Sequence, residues 1–111
     1  MSIHEHDSFA DDLKRERVFH EFEQAIREAN TSCIGRVTGG IGKEHFLKAA
    51  IAVARLRADY LNAVLCLADG NRCADDAAGE LRRRREAYEE ARLGFGALRH
   101  ALKRGYFDLS Q

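Results

Sequence analysis

The sequence predicts an all-α protein: an antiparallel bundle of three long helices, followed by a short fourth helix if the third one breaks at a pair of glycines. Three observations support this fold class. The 111 residues include no proline, and 45% of them are hydrophobic. Apolar residues recur three and four positions apart, which is the spacing of a helix face. Glycine-containing stretches separate three long segments of this kind.

The chain is long enough for one domain, which we expect to cover residues 8–105. Residues 1–7 lack apolar periodicity and are predicted to form a flexible tail, and residues 106–111 form a C-terminal aromatic tail. The formal net charge is zero. This balance argues against a broad basic surface for nucleic acid, although local basic patches are compatible with it.

The first helix is predicted to begin at Ser8, which resembles a capping box with Asp11, and to end near Ala29 or Asn30. Its apolar face contains Val18, Phe19, Phe22, Ala25, Ile26 and Ala29. Residues 31–42 contain four glycines and are predicted to be one long loop that joins antiparallel helices.

The central helix is predicted to span residues 43–69, between Gly42 and Gly70. It carries two apolar seams on opposite sides. The first seam contains Leu47, Ile51, Ala54, Ala58, Leu61, Leu65 and Ala68, and the second contains Ala49, Val53, Leu56, Tyr60, Ala63 and Leu67. A helix that is apolar on two sides is usually buried between neighbours. Because two other helices cannot easily cover both sides, we expect a homo-oligomer or a subunit of a larger complex.

The third helix is predicted to begin at an Asn71 cap and to pack antiparallel to the second helix, because the turn between them is short. Its seam contains Ala77, Leu81, Arg84, Tyr88, Ala91, Phe95, Leu98 and Leu102. The hydroxyl of Tyr88 needs a polar neighbour in this seam. Gly94 and Gly96 are the expected position of a break, after which a fourth helix would cover 97–104.

Two arginines are predicted to lie at about the same level of this hairpin. Arg57 has no acidic residue three or four positions away, and both Arg57 and Arg84 lie in apolar seams. We expect anionic partners from Glu80 and from Asp11 and Asp12 of the first helix. Two interpretations remain open: a salt-bridge network that fixes the helix register, or a small pocket for a carboxylate or phosphate ligand.

The run Arg82-Arg83-Arg84-Arg85 is the most basic stretch of the chain. Four consecutive helical residues point in four directions, and Glu80, Glu86 and Glu89 are spaced to pair with Arg84, Arg82 and Arg85. Self-neutralisation is therefore the preferred interpretation. The alternative is a nucleic-acid contact, and its candidate residues are Arg82, Arg83, Arg85, Arg92, Arg99, Lys103 and Arg104.

No enzyme signature is recognisable, and we expect neither catalysis nor a cofactor. An amino terminus with His4 and His6 offers a minor Cu(II) or Ni(II) site. Three cysteines, Cys33, Cys66 and Cys73, and no leader-like segment predict a reducing cytoplasmic location and no disulfide framework. Charged residues within the central helix argue against a membrane span.

These patterns together favour a non-enzymatic interaction or regulatory module that assembles with itself or with a protein partner. The expected partner-binding residues are Gly39 and Gly40 in the loop and Tyr106, Phe107 and Leu109 in the tail. Alternatives are a nucleic-acid-associated helical subunit and a sensor of a small anion or metal. Salt dependence separates the first two classes, because only phosphate-driven binding weakens steeply with salt.

Overall fold

The structure, a computed structural model, describes residues 3–70 and 75–109, with side chains from Ser8 onwards. These residues form three α-helices and no strand: α1 (Ile3–Thr38), α2 (Lys43–Ala68) and α3 (Ala77–Lys103). The predicted all-α class with three long helices is thus confirmed. Asn71 and Cys73 lie outside the described residues, but α3 begins at Ala77 with Asp76 as its N-cap, so the predicted start of the third helix at an Asn71 cap was wrong.

Helix α1 is longer than the sequence predicted. It is 36 residues long, begins at Ile3 rather than at Ser8, and continues through residues 31–38, where a loop was expected. Two polar side chains in the second half of α1 bond to the helix backbone: the Thr38 hydroxyl donates to the Ile34 carbonyl oxygen at 2.6 Å, and the Asn30 amide donates to that of Ile26 at 3.0 Å. The predicted end near Asn30 was wrong, because the glycine with positive φ that stops the helix is Gly39, nine residues later.

The end of α1 is set by two glycines with positive φ. Gly39 has φ +75°, and its N–H donates to the Gly35 carbonyl oxygen at 2.9 Å, which is a left-handed helix cap. Gly40 follows with φ +99°, and its N–H donates to the Thr38 hydroxyl at 3.2 Å. Only residues 39–42 therefore connect α1 to α2.

Helices α2 and α3 form an antiparallel hairpin. Near the start of α2, Phe46 packs on Phe95, with ring centroids 5.1 Å apart; further along α2, Tyr60 stacks on Tyr88 at 6.0 Å. The N-cap of α3 is Asp76, whose carboxylate accepts the Gly79 N–H at 3.1 Å.

The predicted break at Gly94 and Gly96 is absent: α3 runs through both glycines to Lys103. The intervening Phe95 is anchored against Phe46, which holds this segment in register with α2. The helix is terminated instead by Gly105, which lies two residues beyond Lys103 and has φ +75°. There the N–H of Tyr106 bonds to the Ala101 carbonyl oxygen and that of Gly105 to the Leu102 oxygen, both at 3.0 Å, which is a Schellman motif.

The two seams of α2 have different environments. The second predicted seam, hereafter the inner seam, faces α3 and contains the buried Val53, which is 8% exposed. The first, the outer seam (Leu47, Ile51, Ala54, Ala58, Leu61 and Leu65), is exposed along its whole length. Helix α1 contacts neither α2 nor α3. The predicted three-helix bundle with a buried central helix is thus not confirmed: α2 is covered on one side only.

The chain is extended as a consequence. Its radius of gyration is 23.7 Å, whereas a compact chain of this length has about 13 Å. The extents of 83 × 37 × 17 Å reflect α1, which by its rise alone is roughly 54 Å long.

Candidate interaction surfaces

The first candidate surface is the apolar face of α1, hereafter the α1 face. At 100° per residue, its members fall on one side of the helix from Val18 to Val37. They are Val18, Phe19, Phe22, Ala25, Ile26, Ala29, Cys33 and Val37. All are exposed, and Phe19 and Phe22 are 65% and 64% exposed. Two phenylalanines and an isoleucine on a single uncovered helix face are typical of an interaction site.

Glutamates border the α1 face on both edges. Glu16 and Glu23 lie along one edge and Glu21 and Glu28 along the other, as their helical spacing requires. None of the four forms an ion pair with any residue that the structure describes. With eight acidic and five basic residues, α1 has a formal charge of −3.

The second candidate surface is a groove between α2 and α3, with a volume of about 390 Å³. It is lined by Ala50, Val53, Ala54, Arg57, Arg92, Phe95, Gly96 and Arg99. Small side chains form much of its floor, and three arginines surround it. The outer seam of α2 continues its apolar surface, since Ala54 belongs to both.

The environment of Arg57 explains how an arginine occupies an apolar flank. Its Nε donates to the hydroxyl of Tyr88 at 3.1 Å, and its guanidinium carbon lies 5.4 Å from the centre of the Tyr88 ring. This bond is the polar neighbour that Tyr88 was predicted to need. Among residues 8–70 and 75–109, no carboxylate pairs with Arg57, so its charge remains available to a ligand or partner.

Arg84 lies in a separate cluster with the carboxylates of Glu80 and Asp59, hereafter the acidic cluster. Its Nε donates to Glu80 at 2.7 Å, and its guanidinium lies 3.7 Å from Asp59. Arg83 also donates to Glu80, at 2.8 Å. The hydrogen bond from Arg83, followed by that from Arg84, lowers the pKa of the Glu80 carboxyl below its ordinary value of 4.5. The same bond to Glu80 raises the pKa of Arg83.

The predicted network of five residues is therefore only partly assembled. Glu80 meets Arg84 as expected, but Asp11 and Asp12 lie on α1, away from the hairpin. Asp12 pairs with Arg15 at 3.0 Å, and the Asp11 carbonyl oxygen accepts a bond from the same side chain. These two residues cannot contribute to the site in this arrangement, because α1 points away from α2 and α3.

The arginine run is also partly neutralised. Glu80 pairs with Arg84 as predicted and additionally with Arg83. In the described part of the chain, Glu86 and Glu89, the expected partners of Arg82 and Arg85, form no ion pair with them.

A spacing of seven residues on α3 reveals a pattern that the sequence reasoning missed. Arg85, Arg92 and Arg99 are seven residues apart, and Lys103 follows four residues later. All four therefore lie on one side of α3, hereafter the basic row. Arg104 caps the helix and lies off this row.

A third feature is a cavity of about 500 Å³ where the loop meets the C-terminal segment. The predicted partner-binding residues Gly39, Gly40, Tyr106 and Phe107 all line it, together with His45 and the end of α1. Leu109 is half-buried nearby in sequence. The structure thus brings together two segments that the sequence named separately, although no contact identifies what they bind.

The last candidate from the sequence is the amino-terminal metal site. The side chains of His4 and His6 lie outside the described part of the structure. Within that part, no three histidine, cysteine or carboxylate side chains are grouped to hold a metal, and no helix is long and apolar enough to cross a membrane. No protein-family model, curated protein or solved structure matches the chain.

Proposed function

We propose that this protein is a non-enzymatic, self-associating helical module, whose working form is a homodimer or higher oligomer. The observation that carries the proposal is the exposure of two long apolar surfaces on one small chain, the α1 face and the outer seam of α2. Uncovered apolar surface of this extent is a feature of protein–protein interfaces.

The surface area supports the same conclusion. The chain exposes 9024 Å², whereas a compact monomer of 12.5 kDa exposes roughly 6,200 Å². The difference is about 2,800 Å² per chain. If two copies covered this excess on each other, the total buried area would be about twice 2,800 Å². Obligate dimers bury about 2,000–5,000 Å² or more, so this excess is large enough for such an interface.

The small core points in the same direction. Val53 is the one residue of the described part that is buried, so the chain alone has little apolar burial to offset its conformational entropy. Association adds apolar burial that a single extended chain lacks. We therefore expect association to add to the stability of the folded chain.

Sedimentation equilibrium and native mass spectrometry on the untagged protein test the proposal. We expect a single species of two or more chains at micromolar concentration, with a melting temperature that rises with protein concentration. A folded protein that stays monomeric up to about 100 μM, a weak range for a specific interface, would contradict it.

A second candidate function is nucleic-acid binding, which the basic row favours. Arg85, Arg92 and Arg99 form no ion pair with described residues, so they are available to phosphates. If all four cations of the row contact phosphates, the logarithm of the binding constant for duplex DNA should fall with that of salt with a slope of about −3.6. Fluorescence anisotropy at several salt concentrations measures this slope, and a flat response excludes the row as a phosphate site.

A further inference from the structure

We infer that the occupant of the α2–α3 groove is helix α1 of a second copy of the chain, so that two copies exchange α1 reciprocally. This inference rests on the proposed self-association and specifies its interface. Each groove then receives the third helix that the sequence pattern predicted for a bundle, but from the partner.

Side-chain sizes on the two surfaces are complementary. The α1 face presents the large side chains of Phe19, Phe22 and Ile26. The groove floor offers Ala50, Ala54 and Gly96, which leave room for large side chains from a neighbouring helix. A Cβ atom at Gly96 would meet nothing within 4 Å, so the space above this glycine is empty in the single chain. Alternation of large and small residues across an interface is how helices interdigitate.

Charges on the two surfaces are complementary as well. The α1 face is bordered by the unpaired Glu16, Glu21, Glu23 and Glu28. Cations next to the face lie at its ends, with Lys14 and Arg15 before Val18 and Arg36 beside Val37. The groove is bordered by Arg57, Arg92 and Arg99, none of which pairs with a described carboxylate. Helix α1 has a formal charge of −3, while α2, with four basic and two acidic residues, has +2, and α3, with seven and four, has +3. Pairing α1 with α1, or hairpin with hairpin, would bring like charges together, which disfavours both arrangements.

The lengths of the two apolar stripes also match. The α1 face extends from Val18 to Val37, about 28 Å along the helix, and the outer seam from Leu47 to Leu65, about 27 Å. The four-residue connection directs α1 away from its own hairpin, through the positive-φ glycines Gly39 and Gly40. A second copy can cover the groove without any change in that connection.

A charge-exchange experiment on the full chain tests the inference. One variant carries Glu21→Arg and Glu23→Arg, one from each edge of the α1 face; the other carries Arg92→Glu and Arg99→Glu in the groove. Each alone places like charges together, and we expect its dimer dissociation constant to rise tenfold or more. An equimolar mixture should form a heterodimer within about threefold of the wild-type constant, because both of its interfaces regain opposite charges.

Matched controls reverse charge elsewhere on the same helices. Arg17→Glu on the back of α1 and Arg82→Glu away from the groove should leave the constant unchanged, and circular dichroism verifies that each variant is helical. A wild-type monomer would contradict the proposed function itself. If the wild type is an oligomer and neither reversal changes its dissociation constant, self-association stands and the exchange of α1 is overturned. Weaker association of both variants with no recovery in the mixture would also overturn the exchange, because exchanged α1 helices would restore opposite charges in the heterodimer.

Discussion

Helix α1, with 36 residues, and the α2–α3 hairpin, with helices of 26 and 27 residues, are both built from long helices but are stabilised differently. In the hairpin, each helix covers an apolar seam of the other, and aromatic pairs join them at two levels. In α1 the stabilising contacts are local, such as those of Thr38 and Asn30 with carbonyls one turn earlier. The hairpin can therefore hold tertiary structure within one chain, whereas the apolar face of α1 is left uncovered in the single chain.

The largest effect should come from weakening the hairpin through Phe95→Ala. This change removes the ring that packs on Phe46, and because Phe95 is only half-buried we expect a loss of about 2 kcal/mol in the free energy of unfolding, below the range for fully buried sites. Urea unfolding followed by circular dichroism measures it. Leu93→Ala, on the exposed side of the same helix, is the control and should change stability by less than about 0.5 kcal/mol. Equal effects at both positions would show that the hairpin interface does not control stability.

The next effect distinguishes α1 from the hairpin by association. Phe19→Ser with Phe22→Ser removes two exposed rings from the α1 face and should raise the oligomer dissociation constant at least tenfold, or about 1.4 kcal/mol. Sedimentation equilibrium measures the constant. Unfolding monitored at a concentration where both proteins are monomeric should be nearly unchanged, since these rings contact neither α2 nor α3. A large loss of monomer stability would mean that α1 packs on its own hairpin in solution.

Two glycines of α3 offer a smaller test within the hairpin. Gly94→Ala should raise the free energy of unfolding by up to about 1 kcal/mol, because a Cβ there meets nothing within 4 Å and alanine favours helix. Gly79→Ala should give no such gain, because its Cβ would collide with the Asp76 carboxylate that caps α3. Thermal unfolding of both variants compares them directly. An equal gain at both positions would show that the Asp76 cap contributes little.

Particular residues show what the sequence could and could not determine. The 3–4 spacing identified the seam of α3, and the chemistry of Tyr88 indicated a polar neighbour, which is Arg57. These inferences worked because helix periodicity and hydrogen-bonding needs are local. Residues 31–38 were misassigned because their glycine content predicts a loop, whereas Gly35 is helical and positive φ begins only at Gly39. The direction of α1 depends on two backbone angles at Gly39 and Gly40, which no periodicity encodes.

The groove was missed for a related reason. Its lining comes from two helices, so it appears only when the register of the hairpin is known. A signal was nonetheless present, since the seven-residue spacing of Arg85, Arg92 and Arg99 places them on one side of α3.

The smallest expected effect concerns the acidic cluster of the hairpin. Bonds from Arg83 and Arg84 lower the pKa of Glu80, so the folded state favours the charged carboxylate. A lowered pKa stabilises the folded state above the unfolded pKa, near 4.5, and this contribution is lost as the pH falls through the folded value. The wild type should therefore be more stable than Glu80→Gln at pH 7 and pH 5, and the difference should shrink below about pH 4.5. Because Glu80 is close to solvent, salt should also reduce the difference. Urea unfolding of both proteins at pH 7, 5 and 3 measures the difference in the free energy of unfolding. A difference that stays constant across this range would mean that the ion pairs of Glu80 do not stabilise the hairpin. The aromatic contacts would then be the main source of the stability of the hairpin.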